Sequence, residues 1–544
     1  MMKKIILILL LKVACSGITN AQIQLNTNSI LFNSINEIQL DSVKVVVRNP
    51  STSSIEIKKI LFYKTYKSNP FFVKNFISTV LEAGDSISFY VYFKPKHNVF
   101  HNSELLLVTE PSAFSKTIDL KGQGKYSINY YANTENQTEE NLKTILKAQL
   151  AAGYVSLGYN VARDNMFMTI DNQKTNGQGA SVNTLDCVYT GKKSLAYTSR
   201  TESQTNDNFN TEHTFPQGFF SQNEPMRSDL HHLFPTNDAA NNSRSNFPFG
   251  IASTPYVSES INAPSHLGSN GLYEPRDVQK GRSARAMMYF VLRYQDYSNF
   301  FAPQENILRT WHETYTPNAV DKKRNADIFA VQKNRNPFVD YPEFADRITK
   351  LIGTSISPSV KSFRWIDTIS TFTIIDTTTF VDLEIPFVND GNTEINLYQF
   401  ASIDTTLHFN SDTLKVAIGE STYLKVRLNI HSRIGEYTSS ITFNSNLVNQ
   451  LSFALRYSID SVKTGFLLQK NKNIKVYPNP SSNFIYVESE KSTTYKIYNQ
   501  VGILVKTGIL TEGKNELAIS EFANGLYILT IDNHYSYIIK GNEH

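Results

Sequence analysis

The residues best suited to chemistry in this 544-residue chain lie in one short block near its middle. Glu212 is followed directly by His213, and Asn241 comes about thirty residues later. Glu212 and Asn241 offer the oxygen ligands that Mg²⁺ prefers, with water and phosphate completing its coordination. His213 is neutral near pH 7 and can take the proton from an attacking water. The block therefore predicts metal-assisted phosphodiester hydrolysis with His213 as general base.

This chemistry also needs positive charge, because the phosphate becomes more anionic as the attacking oxygen adds to it. Three arginines are candidates for contacting the phosphate, namely Arg227, Arg244 and Arg285. We predict that these arginines and His213 are the catalytic residues.

A family resemblance supports this interpretation. It rests on several blocks in a fixed order: Asn210–Pro216, Ser228–Pro235, Asn241–Asn246, Lys280-Gly281 ahead of Ala284-Arg285, Trp311, Arg324-Asn325 and Gln332–Asp340. Over roughly residues 126–352 the sequence resembles bacterial endonuclease I, a secreted or periplasmic member of the His-Me finger (ββα-metal) nucleases. The resemblance implies an α+β domain that cleaves DNA with little sequence preference, with RNA open as a second substrate. It also implies magnesium as cofactor, with calcium or manganese as alternatives.

The resemblance assigns roles residue by residue. It implies His213 as general base, with Glu212 and Asn241 as the metal ligands. The supporting shell that it implies around the metal loop consists of Asp229, His231 and Arg244.

The residues alone leave two other functions open. Zinc sites favour several imidazoles, so a zinc phosphoesterase or peptidase could draw on the same block. The residues concerned would be Glu212, His213, Asp229, His231 and His232. Neither a His-x-His nor a His-Glu-x-x-His pattern is present, however, and the later Asn–Arg block has no role in such a site. The third interpretation is a surface adhesin without catalytic activity.

Two amphipathic helices are predicted around the block. The first follows Thr138, with Gly153 as its stop, and its apolar stripe consists of Leu142, Ile145, Leu146 and Leu150. The second spans Gly281–Tyr294, with an apolar face opposite a face that carries arginines, including Arg285. We expect this second face to lie near the site.

The flanks of this region have the composition of antiparallel β-sandwiches, predicted at residues 22–125 and 353–462. Runs such as Ile87–Lys94 alternate polar and apolar residues. Gly84-Asp85-Ser86 is echoed by Gly419-Glu420-Ser421, and Asn49 by Asn389, so the two modules look like copies of one unit. They resemble immunoglobulin-like modules of secreted bacterial proteins, and we expect them to act as spacers or binding modules.

The last module, residues 468–544, resembles the C-terminal sorting domain of the type IX secretion system. Tyr477-Pro478-Asn479-Pro480, Gly525-Leu526-Tyr527 and Lys540 carry the resemblance. It implies contact with the type IX secretion machinery, export through the periplasm and outer membrane, and an extracellular or cell-surface product.

The N-terminus predicts a secretory signal peptide over residues 1–21, with Lys3 and Lys4 before a short apolar run. Its removal also removes Cys15, which leaves Cys187 alone and no intrachain disulfide. No later segment is apolar enough for a transmembrane helix.

The formal net charge of +4 falls to about +1 in the mature chain, and residues 126–352 carry about −1. Bulk attraction to nucleic acid is therefore not expected of the nuclease region. Its positive charge is local instead, in Arg276, Lys280, Arg282, Arg285 and Arg293.

Overall fold

A computed structural model describes residues 23–51, 53–63, 69–257, 264–366, 368–375, 380–430, 434–460, 469–470, 475–500, 503–531 and 534–541. The predicted signal peptide, with Cys15, lies outside the described residues. No helix within the described ranges is long and apolar enough to cross a membrane.

The first module consists of two sheets packed face to face. Its strands are β1 (Gln24–Leu25), β2 (Ser29–Leu31), β3 (Ile35–Asn36), β4 (Asp41–Arg48), β5 (Ile55–Phe62), β6 (Phe71–Val73), β7 (Thr79–Leu81), β8 (Ser86–Phe93), β9 (Phe100–Glu110) and β10 (Lys116–Lys125). One sheet has the order β1-β4-β8-β6 and the other β2-β10-β9-β5-β7, with β3 beside β10. Alternate residues of each strand enter the core between the sheets, for example Val45, Val47, Val91 and Phe93.

The second module repeats this strand order. Its strands are β17 (Phe363–Trp365), β18 (Thr368–Ile375), β19 (Phe380–Asn389), β20 (Ile395–Ser402), β21 (Leu407–Phe409), β22 (Thr413–Val416), β23 (Ser421–Asn429), β24 (Gly435–Ser445) and β25 (Leu451–Asp460). They form the sheets β17-β19-β23-β21 and β18-β25-β24-β20-β22. The repeated asparagines form equivalent hydrogen bonds in the two modules. Asn49 Nδ2 donates to Leu81 O (2.9 Å), and Asn389 Nδ2 donates to Val416 O (3.0 Å). Both fasten a strand end to the neighbouring sheet.

The domain between the sandwiches contains eight of the helices in the described part of the chain. They are α1 (Glu139–Ala151), α2 (Tyr159–Asn165), α3 (Arg200–Asp207), α4 (Asp238–Arg244), α5 (Asp277–Arg293), α6 (Glu305–Thr314), α7 (Ala319–Gln332) and α8 (Pro337–Asp340). Its short strands are β11 (Thr184–Asp186), β12 (Lys193–Leu195), β13 (Phe209–His213), β14 (Leu233–Asn237), β15 (His266–Leu267) and β16 (Tyr273–Glu274). One continuous hydrophobic core holds these elements together.

The first predicted helix is confirmed, since α1 follows Thr138 and buries Leu142, Leu146 and Leu150. The second is present as α5, but the expected division into an apolar and a polar face is wrong. Helix α5 is buried on nearly all sides. Its arginines can be buried because they form ion pairs with acidic residues of neighbouring elements. Arg285 faces Asp321 of α7, for instance. The helix is therefore the centre of the domain, with its polar face turned inward.

The last module has a five-stranded sheet and a three-stranded sheet. Its strands are β26 (Gln469–Lys470), β27 (Val476–Tyr477), β28 (Phe484–Ser489), β29 (Thr493–Asn499), β30 (Leu504–Leu510), β31 (Gly513–Ala518), β32 (Gly525–Ile531) and β33 (His534–Lys540). Ile485, Val487, Ile497 and Leu529 lie in the core between the sheets.

Candidate active site

The predicted residues sit on a hairpin followed directly by a helix. Strands β13 and β14 pair antiparallel, with Glu212 opposite Phe234 and His213 opposite Leu233. The chain between them runs through three single helical turns, and α4 begins immediately after β14. The side chain of Asn237 caps α4 by accepting from the Ala240 amide at 2.9 Å. This arrangement brings the end of β13 and the first turn of α4 to the same region of the domain.

Glu212 is buried and held by one of its two carboxylate oxygens. The Tyr189 hydroxyl donates to Oε1 at 2.7 Å, and Arg244 Nε lies 3.1 Å from the same oxygen. Burial raises the pKa of Glu212, while Arg244 and Tyr189 act in the opposite direction. Oε2 makes no hydrogen bond within the described part of the protein, so it is the oxygen that can coordinate a cation.

His213 is oriented by the backbone of the hairpin connection. Its Nε2 lies 3.1 Å from the carbonyl oxygen of Arg227. Because a carbonyl only accepts hydrogen bonds, Nε2 carries the proton and Nδ1 keeps its lone pair. Burial, with His232 and Arg227 nearby, holds the pKa of His213 well below its usual range. The ring is therefore a neutral base with Nδ1 as its basic atom.

Asn241 lies in the middle of α4 and is half buried. Asn210 Nδ2 donates to Asp238 Oδ1 at 2.6 Å, which fastens the start of the helix to β13. The side chain of Asn241 makes no hydrogen bond to another described residue. Its carboxamide oxygen and Glu212 Oε2 are thus two oxygen donors that lack partners among the described residues, on adjacent elements. This donor set fits a hard cation such as Mg²⁺ better than zinc.

Arg244 and Arg285 are placed differently from the prediction that they contact phosphate. Arg244 is fully buried and donates to the carbonyls of Thr214 (2.8 Å) and Ser245 (2.7 Å). Arg285 is 2% exposed and donates to Tyr315 O at 2.7 Å, with Asp321 on its other side. Both guanidinium groups therefore form their hydrogen bonds and ion pairs with other residues of the domain. Arg244 positions Glu212, and Arg285 fastens α5 to its neighbours.

The local positive charge predicted along α5 is likewise internal. Lys280 pairs with Glu274 and Asp277, both at 2.8 Å. Arg282 pairs with Asp321 at 2.6 Å, and Arg276 donates to the carbonyl of Val188 at 2.8 Å. Carboxylates therefore pair with Lys280 and Arg282, while backbone carbonyls hold Arg276.

Arg227 is the candidate arginine that remains available. Its guanidinium makes no hydrogen bond to another described residue and lies over the ring of Tyr159, with Cζ 4.3 Å from the ring centroid. A second guanidinium, that of Arg163, lies 4.2 Å from the same centroid. The Tyr159 ring is 5.5 Å from that of His213. Two cations thus lie against one aromatic ring, and that ring lies beside His213.

Tyr159 and Arg163 are not among the residues predicted from the sequence. They lie one helical turn apart on α2, far upstream of the Glu-His pair. Their spacing signals that they share a helix face, but nothing in the sequence shows that this face meets His213.

The supporting residues form a buried network. The carboxylate of Asp229 accepts from Tyr289 (2.8 Å), Tyr294 (2.9 Å) and Gln332 (2.7 Å) and pairs with Arg293. Burial alone raises the pKa of this carboxyl, but Arg293 and the adjacent histidines outweigh burial and hold it at about 2. Asp229 therefore joins the hairpin connection to α5.

The two adjacent histidines are engaged with backbone. His231 Nε2 lies 3.1 Å from Asn334 O, and His232 Nε2 lies 2.7 Å from Met226 O. Asp229 is likewise committed to Arg293, so three of the five residues named for the zinc alternative have partners within the domain. In the residues that the structure describes, no group of three His, Cys, Asp or Glu side chains is arranged to hold a metal.

Comparisons with known proteins identify two regions of the chain. Residues 134–343 match the family model of Endonuclease I, and residues 475–541 match that of the secretion system C-terminal sorting domain. An extracellular ribonuclease of Bacillus subtilis (strain 168) is 28% identical over 240 residues, covering 40% of this chain and 77% of the relative. An extracellular deoxyribonuclease of Aeromonas hydrophila is 27% identical over 116 residues, covering 21% of this chain and 50% of the relative.

The chain thus carries an endonuclease I domain and a type IX secretion sorting domain, which confirms both resemblances. The sorting domain and the extracellular relatives indicate that the protein is secreted.

Proposed function

We propose that this protein is a secreted endonuclease that hydrolyses phosphodiester bonds of DNA with little sequence preference, and that RNA is a second substrate. The observation that carries the proposal is the orientation of His213. Its Nε2 is committed to the Arg227 carbonyl, so Nδ1 is free to act beside two available oxygen donors. The hairpin β13–β14 followed by α4 supports assignment to the His-Me finger nucleases.

In the proposed reaction, His213 Nδ1 takes a proton from a water molecule, whose oxygen forms a bond to phosphorus. The bond from phosphorus to the leaving ester oxygen breaks, and that oxygen takes a proton from solvent. Arg227 lies beside His213, where its guanidinium can neutralise the phosphate as negative charge develops. Arg163 adds a second positive charge to the same place.

Glu212 Oε2 and the carboxamide oxygen of Asn241 would hold Mg²⁺, with calcium or manganese as alternatives. A magnesium ion bound there supplies charge stabilisation to the scissile phosphate and to the leaving oxygen. Arg244 and Tyr189 keep the Glu212 carboxylate in place from behind.

The relatives support testing both polymers, since the Bacillus protein is named a ribonuclease and the Aeromonas protein a deoxyribonuclease. The full chain should be assayed on plasmid DNA and on single-stranded RNA, with magnesium and with excess chelator. Cleavage is expected only with the metal, and it should be lost in His213→Ala. His408→Ala, on β21 of the second sandwich, is the matched control. Undiminished cleavage by His213→Ala, or in chelator, would contradict the proposal.

A further inference from the structure

One sheet of the first sandwich carries a strongly basic outer surface. Strands β1, β4, β8 and β6 turn alternate side chains away from the core, and the exposed set includes Lys44, Arg48, Lys74 and Lys94. We call this surface the basic face. None of its four cations has a carboxylate at ion-pair distance among the described residues. It therefore differs from the nuclease domain, whose basic residues along α5 are neutralised.

Acidic residues near the basic face do not neutralise it. Asp41 of β4 belongs to the opposite side of the strand, where its carboxylate accepts from the Asn33 side chain at 3.1 Å. Glu82 and Asp85, in the turn before β8, are exposed and are not paired with the four cations. Lys44, Arg48 and Lys74 thus face solvent on one sheet, while Lys94 lines a pocket with Glu37, Asp340 and Glu343.

Three aromatic side chains lie among these cations. Phe72 of β6 and Tyr92 of β8 are opposite each other in register and stack with ring centroids 5.3 Å apart. Tyr90 follows on the same face of β8, with its centroid 6.4 Å from that of Tyr92, and is 49% exposed. Lys74 Nζ sits 4.3 Å from the Tyr92 centroid. In addition, Lys44 of β4 is opposite Tyr90 of β8 in the strand register, so two of the cations neighbour aromatic rings.

The second sandwich shows that this pattern is not required by the fold. On its equivalent sheet, Arg427 pairs with Asp382 at 2.7 Å. Glu384 of the same face pairs with Lys116 of the first sandwich at 2.6 Å. The Tyr423 hydroxyl lies 2.7 Å from Thr117 Oγ1, also of the first sandwich. The equivalent face is thus charge-balanced and docked, whereas the basic face is neither.

We propose that the basic face binds single-stranded nucleic acid and holds the substrate strand for the nuclease domain. Cations that have no ion-pair partner in the described part of the chain suit the phosphates of a polynucleotide, and exposed aromatic rings suit stacking by unpaired bases. A duplex hides its bases, so the aromatic residues favour a single strand. The role as substrate holder rests on the proposed nuclease function, while binding itself can be measured without cleavage.

The test uses the full-length protein with His213→Ala, so that the probe stays intact. Binding of a labelled oligothymidylate and a labelled oligouridylate, each about 16 nucleotides long, is followed by fluorescence anisotropy. Tyr90→Ala should weaken binding by about fivefold or more, because stacking on an aromatic side chain is lost. A duplex of the same length should bind more weakly than the single strand.

The electrostatic part is tested by salt dependence. Lys44→Gln and Lys74→Gln should each reduce the slope of log K against log salt by about 0.7, the value for one phosphate contact with a single strand. Lys59→Gln is the matched control, since Lys59 is exposed on β5 of the other sheet of the same module. It should leave both affinity and slope unchanged. Thermal unfolding of each variant verifies that the module is folded.

Equal affinities in the Lys44, Lys74 and Lys59 variants would overturn the proposal. So would tighter binding of the duplex, or competition by dextran sulfate together with an unaffected Tyr90→Ala, which would indicate an acidic polysaccharide as the ligand. Binding of single strands by a protein that cleaves nothing would refute the proposed nuclease while leaving the binding surface intact. Cleavage of nucleic acid without binding at the basic face would refute the proposed binding surface and leave the proposed nuclease function intact.

Discussion

The site around Glu212 and His213 and the basic face use charge in opposite ways. In the site, the buried carboxylates have buried cationic partners, as Glu212 has Arg244 and Asp229 has Arg293. On the basic face, cations such as Lys44 stand in solvent without partners. Paired charges fix the geometry that a reaction needs, whereas unpaired charges are free to attract a polyanion. The contrast predicts that substitutions in the site change turnover and stability, and that substitutions on the face change capture of long substrates.

The largest effect is expected from His213→Ala. Loss of the general base should lower kcat by about 10²–10⁴-fold. The affinity of the protein for a single strand should stay close to that of the wild type, because the basic face is intact. Steady-state cleavage and anisotropy on the same preparations check this prediction. A parallel loss of affinity would mean that the site, and not the sandwich, provides most of the binding.

Arg244→Ala should act mainly through stability. Removing this guanidinium leaves Glu212 buried without its counterion, and breaking a buried pair costs about 3–5 kcal/mol. Urea unfolding of the full chain should show a lower midpoint for the nuclease domain, and Arg244→Lys should recover part of the loss. If Arg244 instead contacts phosphate, activity would fall while the unfolding midpoint stayed the same.

The paired charge of Asp229 predicts a specific acid sensitivity. Its folded pKa of about 2 lies below the ordinary value of 3.8, so the carboxylate stabilises the fold above pH 4. That contribution, about 2 kcal/mol, is lost as the pH falls from 4 to 2. Unfolding free energies measured across this window should fall more steeply in the wild type than in Asp229→Asn. Equal slopes would show that other carboxylates cause the acid sensitivity.

Arg163→Gln tests the pair of cations beside His213. Since Arg163 shares the ring of Tyr159 with Arg227, its removal takes away one positive charge near the phosphate and one stacking contact. Turnover should fall about fivefold, because Arg227 remains as the second positive charge on the Tyr159 ring beside His213. Arg200→Gln, in nearby α3, is the control and should leave turnover unchanged. Turnover of Arg163→Gln equal to that of the wild type would exclude Arg163 from the site.

The local part of the site could be predicted from the sequence, and the part built by distant elements could not. Glu212, His213 and Asn241 belong to one stretch of hairpin and helix, so their proximity follows from short-range structure. Tyr159 comes from α2, which reaches His213 only through packing of the whole domain. Arg285 was expected to be accessible because a polar helix face usually meets water, but Asp321 of α7 occupies that side.

The same limit applies to the sandwiches. Alternation along β8 predicts which residues point outward, and the repeated asparagines predict two modules with one strand order. The sequence does not reveal which outward face is covered. Lys425 and Arg427 on β23 are as basic as the residues of β4, yet Glu384 and Asp382 neutralise them from the neighbouring strand. Only the pairing of strands distinguishes a balanced face from an open one.

The smallest effect is expected from Lys44→Gln in an otherwise active protein. One exposed phosphate contact contributes little, so KM for a long single-stranded substrate should rise only about threefold at low salt. The effect should disappear near 0.5 M salt, where the Debye length is only about 4 Å and the wild type also loses this attraction. The unfolding midpoint should not fall, because the Lys44 side chain has no ion-pair partner among the residues that the structure describes; this distinguishes it from Arg244. A salt-independent change in KM would mean that Lys44 acts through the structure of the sandwich. Lys44 would then not be an unpaired charge that attracts the substrate, which contradicts the contrast with the paired charges of the site.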